Sequence, residues 1–87
     1  MQTTMHLLAK ALERKSIAEW TAELDLSEKA LYNAKYRGQL SPTLAGDLAS
    51  RLGEDVERWI VIAAVESDRD SASKTRMLKR LETWRKR

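Results

Sequence analysis

Seven consecutive apolar residues, 59–65 (WIVIAAV), stand in the second half of a chain of only 87 residues. Asp55 precedes them as a suitable N-cap, so the run predicts a helix that is apolar around its whole circumference and not along one stripe. Such a helix must be buried on more than one side. The single core of so small a domain covers only one of those sides, and a second surface must cover the rest.

The helical spacing divides this helix into two faces. Four residues are spaced to face the core: Val56, Trp59, Ile60 and Ala63. Three remain for a second surface: Ile62, Val65 and Val61. Either a copy of the same chain or the final helix of the chain, folded back, would cover that second surface. Apolar patches on small domains commonly mark partner surfaces, and the sequence leaves both arrangements open.

A further amphipathic helix is predicted near the C-terminus. The polar, turn-like stretch 66–73 leads into four large apolar residues at spacings of three and four: Met77, Leu78, Leu81 and Trp84. This spacing is typical of a helix with one apolar face. Residues 68–87 carry eight basic against three acidic residues, whereas residues 1–67 carry eight against ten. The net positive charge is therefore concentrated in the last fifth of the chain.

The residues that usually carry metal, disulfide or catalytic chemistry are scarce. The chain has no cysteine and one histidine, His6, so disulfides are excluded and a zinc site lacks ligands. No nucleophile–base pair or phosphate-binding loop is present, so we expect no enzyme activity, no cofactor and no small-molecule ligand. The longest apolar run is too short to span a membrane and the N-terminus does not resemble a signal peptide. We therefore expect a cytoplasmic protein.

Start and stop signals predict an all-α fold of five or six helices. Thr3 or Thr4 can cap the first helix. Ser41 followed by Pro42 is the clearest start in the chain, because proline is favoured at the first helical position. Gly53 ends that helix. No strand pattern appears in the sequence.

Two short helices joined by a tight turn are predicted between Ser16 and Gly38. Ser16 and Glu19 form a capping box, Asp25 sits where the chain must turn, and Ser27 can cap the second helix. Each helix has an apolar stripe that faces inward: Ile17, Trp20 and Leu24 on the first, and Ala30, Leu31 and Ala34 on the second. The tryptophan is accordingly expected in the core.

A longer pattern runs through these helices and the next: residues 20–27 (WTAELDLS), Leu31, residues 37–38 (RG), Pro42, Ala45, residues 48–49 (LA) and residues 52–53 (LG). This pattern resembles the lambda repressor-like (Cro/C1-type) helix-turn-helix family over residues 3–66, and the basic ending is similar to small phage- and prophage-encoded helix-turn-helix proteins. Asp25 stands where that family usually has glycine, although Asp enters the left-handed region more readily than most residues. The resemblance implies a five- to six-helix domain over residues 1–67. A basic amphipathic C-terminal helix over residues 68–87 would then serve dimerisation or DNA-backbone contact.

The resemblance also implies which residues meet DNA, because the second helix of a helix-turn-helix lies in the major groove. Five residues are expected at base edges: Glu28, Lys29, Tyr32, Asn33 and Tyr36. Lysine can donate to guanine, asparagine can pair with adenine, glutamate can accept from cytosine, and tyrosine can contact thymine methyls. Six residues are expected at phosphates: Ser16, Ser27, Lys35, Arg37, Ser41 and Thr43. The two tyrosines could instead be a surface pair, and the glutamate a helix-dipole residue.

A single module of this kind buries little surface, so the resemblance implies a homodimer on an inverted repeat. Five apolar residues are the expected dimer contacts: Ile62, Val65, Leu78, Leu81 and Trp84. The expected function is a sequence-specific transcriptional repressor or regulator of phage or prophage origin, which binds double-stranded DNA and is nucleoid-associated when bound. The alternative is a protein-interaction module, such as an antirepressor or phage accessory protein, and the net negative charge of residues 1–67 favours it.

Overall fold

The computed structural model describes residues 2–27 and 29–84, and six helices account for most of them. These helices are α1 (Thr4–Leu12), α2 (Ile17–Glu23), α3 (Ala30–Arg37), α4 (Pro42–Leu52), α5 (Val56–Glu66) and α6 (Ala72–Glu82). No strand occurs in either described range, so the prediction of an all-α fold is confirmed. None of these helices is long and apolar enough to cross a membrane.

Most of the helices begin where local side-chain chemistry predicts. The Ser41 side chain accepts a hydrogen bond from a backbone N–H in the first turn of α4, and Pro42 follows it. Asp55 has the same role at the start of α5. These side chains satisfy N–H groups that have no partner inside the helix. At the start of α1 the N-cap is Thr3, whose backbone N–H donates to Nδ1 of His6 at 2.8 Å.

The turn between α2 and α3 contains Asp25 in the left-handed conformation, with φ at 53°. The N–H of Leu26 donates to the Thr21 carbonyl at 2.9 Å, and the N–H of Asp25 donates to the Ala22 carbonyl at 3.3 Å. This pair of bonds is the Schellman pattern, in which glycine usually takes the left-handed position. The predicted place of Asp25 in the turn is confirmed.

Helix α3 begins later than the sequence predicts. Ser27 is expected to cap it, but the N-cap is Lys29 and the first helical residue is Ala30. The Ser27 carbonyl accepts a hydrogen bond from the Ala30 N–H at 3.1 Å, so a turn precedes the helix. The prediction of Ser27 as N-cap is therefore wrong, because the chain completes this turn before its backbone becomes helical.

All six helices contribute to one hydrophobic core. Trp20 is buried and donates its indole N–H to the Ala11 carbonyl at 2.8 Å, so its predicted core position is confirmed. Helices α4 and α5 approach closely at Gly46, where an added Cβ would lie 2.8 Å from Cγ1 of Ile60. Glycine therefore permits this close contact between the two helices.

The rotation of α5 differs from the prediction at two positions. Ile62 is expected on a second surface but is fully buried in the core. Ile60 is expected in the core but is 38% exposed and lies across Gly46 of α4. A helix that is apolar all round gives no signal for one face over another. Its neighbours set the rotation, and here the close approach of α4 places Ile60 at the rim of the contact.

Helix α6 folds back along α5 within the same chain. At the start of α6, Lys74 Nζ donates to the backbone carbonyls of Glu66 at 3.3 Å and Asp68 at 2.8 Å. Beyond its end, Nε1 of Trp84 donates to Oδ2 of Asp55 at 3.1 Å. The two helices are therefore antiparallel, and the chain's own last helix covers the second surface of α5.

This packing corrects two of the five predicted dimer contacts. Leu81 of α6 and Ile62 of α5 are both buried in the core, so neither side chain has surface left for a partner. Val65 and Leu78 are half-buried against the same core. Trp84 remains 38% exposed. The predicted dimer surface thus shrinks to the edge of the contact between α5 and α6.

A buried polar network connects the start of α1, the end of α5 and the loop after α3. Thr4 is fully buried, its backbone N–H donates to the Glu66 carboxylate at 2.8 Å, and its hydroxyl donates to the same carboxylate. The hydroxyl oxygen of Thr4 also accepts the backbone N–H of Leu40 at 2.9 Å. The network fixes the loop that leads from α3 into α4.

Candidate nucleic-acid interface

Helix α3 has one buried side and one exposed side. Leu31 and Ala34 are fully buried, and Ala30 is half-buried beside them. The predicted inward stripe of this helix is therefore confirmed. The opposite side carries two large aromatic residues in solvent, with Tyr32 58% exposed and Tyr36 94% exposed.

Four of the predicted base-contact residues form a single exposed stripe along α3. These residues are Lys29, Tyr32, Asn33 and Tyr36. Their spacings of three, one and three residues place them on one face of a helix. Glu28, the fifth, lies outside the described residues. We refer to this stripe as the α3 face. It presents an ammonium donor, a carboxamide and two phenol groups on one side of a rigid element.

The segment that contains α3 has an excess of basic over acidic residues. Residues 29–46 carry three basic residues and no acidic one, whereas the rest of residues 1–67 carries five basic against ten acidic residues. The three are exposed in the structure: Lys29, Lys35 and Arg37. Averaging over residues 1–67 hides this local excess. A charge window as long as one helix and its loop would have found it.

The ion pairs of the described residues involve cations outside residues 29–46. Lys10 pairs with Glu54 and Lys15 with Glu23, and Arg51 lies 3.6 Å from the same Glu23. The hydrogen bond from Lys15 lowers the pKa of Glu23 below its ordinary value. The three cations of residues 29–46 have no carboxylate within ion-pair distance in the described part of the chain. Their charge is therefore available to an external anion.

The starts of α2 and α4 differ in their charge. At α2 the Glu19 carboxylate accepts the Ser16 N–H at 3.0 Å, and the hydrogen bonds from Ser16 lower the pKa of Glu19. A negative charge thus already occupies the positive end of α2. At α4, Ser41 and Thr43 are exposed and the first turn holds no acidic residue. Of these predicted phosphate contacts, those at α4 are better placed than Ser16.

An open apolar groove of about 430 Å³ lies beside α3, which contributes Lys35 to its lining. Five of its lining residues come from α1 and the position that follows it, and one comes from α3: Met5, Leu8, Ala9, Leu12, Glu13 and Lys35. No pattern in the sequence indicates the groove, because residues that line it, such as Leu8, also belong to the core. The described residues contain no group of His, Cys, Asp or Glu that could hold a metal ion.

Comparisons with protein families, with curated proteins and with solved structures find no match for this chain. The resemblance to the lambda repressor-like family therefore rests on the sequence pattern alone.

Proposed function

We propose that this chain is a sequence-specific, double-stranded DNA-binding regulator of the lambda repressor-like kind, of phage or prophage origin, that acts as a repressor. One observation carries the proposal, namely the exposed basic charge on and around the α3 face, which has no ion-pair partner among the described residues. A helix that is anchored on one side by Leu31 and Ala34 and bears lysine, asparagine and tyrosine on the other suits the major groove in width and chemistry.

In this proposal the α3 face reads bases by its polar side chains. Lys29 donates to O6 and N7 of guanine, and Asn33 pairs with N6 and N7 of adenine. Tyr32 and Tyr36 bring their rings to thymine methyl groups or their hydroxyls to phosphate. Because Lys29 and Asn33 stand four residues apart, they meet neighbouring base pairs of one half-site.

Phosphate contacts fix the register of the helix in the groove. Lys35 and Arg37 flank the α3 face with exposed cations. Ser41 and Thr43 add the start of α4, where the helix dipole favours an anion. Ser16 is a weaker candidate than these four, since Glu19 would repel a phosphate there.

Repression requires a protein that covers a long stretch of DNA, and a single copy of α3 covers too little of it. Two copies on an inverted repeat, one helical turn apart, would double the contacts. Of the predicted dimer contacts Trp84, beyond the end of α6, stays most accessible at 38% exposed, and Met77 of α6 adds an apolar side chain that is 45% exposed. The bound dimer would block access of RNA polymerase to a promoter.

Selection from a pool of random duplexes at low and at high salt tests the proposal. A sequence-reading dimer enriches a two-fold related motif, and its affinity falls steeply as salt rises because phosphate contacts release counterions. Failure to enrich any motif at either salt concentration would overturn it.

A protein-interaction module is the second candidate, and the apolar groove favours it. The groove borders Lys35 of the α3 segment, and exposed tyrosines such as Tyr32 and Tyr36 are frequent in protein interfaces. Under this alternative, a charged side chain in the groove, as in Leu12→Glu, abolishes partner binding. Under the DNA proposal the same variant, if folded, still enriches the motif.

A further inference from the structure

The side of α6 that faces away from the core carries a second set of exposed cations. Three basic residues occupy one side of the helix, at i, i+3 and i+4: Arg76, Lys79 and Arg80. Leu81, which is buried in the core, lies on the opposite side. We refer to these three cations as the α6 outer face. Their spacing places neighbouring Cβ atoms about 5–6 Å apart, so they form one patch.

The cations of the α6 outer face share the unpaired state of those around α3. None of the three has a carboxylate within ion-pair distance in the two described ranges. Arg76 donates to the Ser73 hydroxyl at 3.2 Å, which leaves its charge uncompensated. Lys74, on the side that faces α5, is instead held by backbone carbonyls and lies 3.5 Å from Asp70.

The patch is held on an ordered helix. Ser71 caps the start of α6 by accepting the Lys74 N–H at 3.0 Å, and the Lys74 ammonium is fixed to the end of α5. Trp84 holds the other end to Asp55. Cations on such a helix lose less conformational freedom on binding than cations on a disordered tail.

Three successive contacts join the start of α6 to the loop that follows α3. Lys74 binds the backbone carbonyl of Glu66, the Glu66 carboxylate accepts from Thr4, and the Thr4 hydroxyl oxygen accepts the N–H of Leu40. Leu40 immediately precedes Ser41, one of the candidate phosphate contacts. A continuous series of contacts therefore connects the start of α6 with the end of the α3 segment.

We propose that the α6 outer face binds the phosphate backbone of the duplex whose bases the α3 face reads. This inference rests on the proposed function and adds a second, sequence-independent contact to it. Arginine suits phosphate because its planar guanidinium donates two parallel hydrogen bonds. Two acidic residues that a second copy would offer, Glu23 and Glu54, are already paired with cations of their own chain.

The salt dependence of binding tests this contact with matched variants. The variant Arg76→Gln/Arg80→Gln removes two cations of the α6 outer face, and Arg14→Gln/Arg51→Gln removes two arginines elsewhere with the same change in net charge. In the bound dimer the α6 variant removes four phosphate contacts, two from each copy, which lowers the slope of log K against log salt by about 3.6 on any duplex. Between about 50 and 200 mM salt the wild type would therefore lose roughly 150-fold more affinity than the α6 variant.

The control and the conservative variant Arg76→Lys/Arg80→Lys are expected to keep the wild-type slope, and the preference for the selected motif over random sequence is expected to stay unchanged in all variants. An unchanged slope in Arg76→Gln/Arg80→Gln, or an equal fall in the control, overturns the inference. A change of oligomeric state by sedimentation, with the slope unchanged, would assign the patch to a protein contact instead.

The two proposals fail in distinguishable ways. If the wild type enriches a motif and Lys29→Ala weakens it while the α6 variant keeps the full slope, only the α6 contact is wrong. If the wild type binds no duplex at either salt concentration, the proposed function fails and the α6 contact fails with it.

Discussion

Helices α3 and α5 meet the rest of the molecule in opposite ways. Helix α3 buries Leu31 and Ala34 and leaves its other side to solvent. Helix α5 is covered on one side by α4, through the close contact at Gly46, and on another by α6. Helix α5 thus packs between other helices, whereas α3 packs against the core on one side and exposes the other side to solvent.

This difference separates stability from binding. Side chains on the buried sides of α5 contribute to the free energy of unfolding and have no surface for a partner. Side chains of the α3 face make little packing contact, so their chemistry can be selected for recognition alone. Substitutions in the two helices should therefore affect different measurements.

The largest expected effect is on stability, at Ile62. Ile62→Ala leaves a cavity in the core and should lower the free energy of unfolding by about 2–5 kcal/mol. Ile60→Ala on the same helix is the matched control, and it should cost clearly less because Ile60 is partly exposed. Urea denaturation of both variants measures the difference. Equal losses would contradict the observed rotation of α5.

A substitution on the α3 face should weaken DNA binding and leave the stability of the fold unchanged. Lys29→Ala should weaken binding to the selected motif by about 1–3 kcal/mol, the range for one good base contact. The urea midpoint should stay near that of the wild type, because Lys29 is exposed. Fluorescence anisotropy with a labelled duplex gives the affinity. An unfolded variant, or one with unchanged affinity, would break the separation between the two helices.

The link between the two regions is tested at Thr4. Thr4→Val keeps the shape of the side chain but leaves the Leu40 N–H without its acceptor and the Glu66 carboxylate without the hydroxyl donor. Such loss should destabilise the fold by about 1–3 kcal/mol. Thr4→Ser, which keeps the hydroxyl, should retain more of the stability. Thermal unfolding that ranks the serine variant no better than the valine variant would argue against the network.

The smallest expected effect is at the turn before α3. Asp25 adopts the left-handed region, which costs non-glycine residues about 1–2 kcal/mol. Asp25→Gly should relieve part of that cost and raise the thermal midpoint slightly, whereas Asp25→Val should lower it. A valine variant as stable as the wild type would show that the turn relaxes out of this conformation.

The predictable parts of the fold are those with a local chemical cause. Ser41 and Asp55 cap their helices by accepting hydrogen bonds from backbone N–H groups three residues later. Residues that can form such short-range bonds are recognisable in a sequence. The inward stripe of α3 can also be recognised from a short stretch of sequence, because Leu31 and Ala34 are apolar residues at helical spacing among polar ones. The four described members of the predicted base-contact set therefore share one exposed face as expected.

The parts that the sequence could not predict depend on distant partners. Residues 59–65 are apolar on all sides, so only the packing of α4 and α6 decides that Ile62 is buried and Ile60 is partly exposed. The bond between Thr4 and Glu66 spans 62 positions and leaves no periodic pattern. The start of α3 also differs from the prediction, since the Ser27 carbonyl accepts the Ala30 N–H in a turn and the N-cap is Lys29.

The most direct measurement of the central claim is a parallel selection of random duplexes by the wild type and by Asn33→Ala. If the α3 face reads DNA, the wild type enriches a two-fold related motif, and the variant loses preference at one base position in each half-site and keeps the others. Recovery of the same motif with full preference by both proteins would contradict the account.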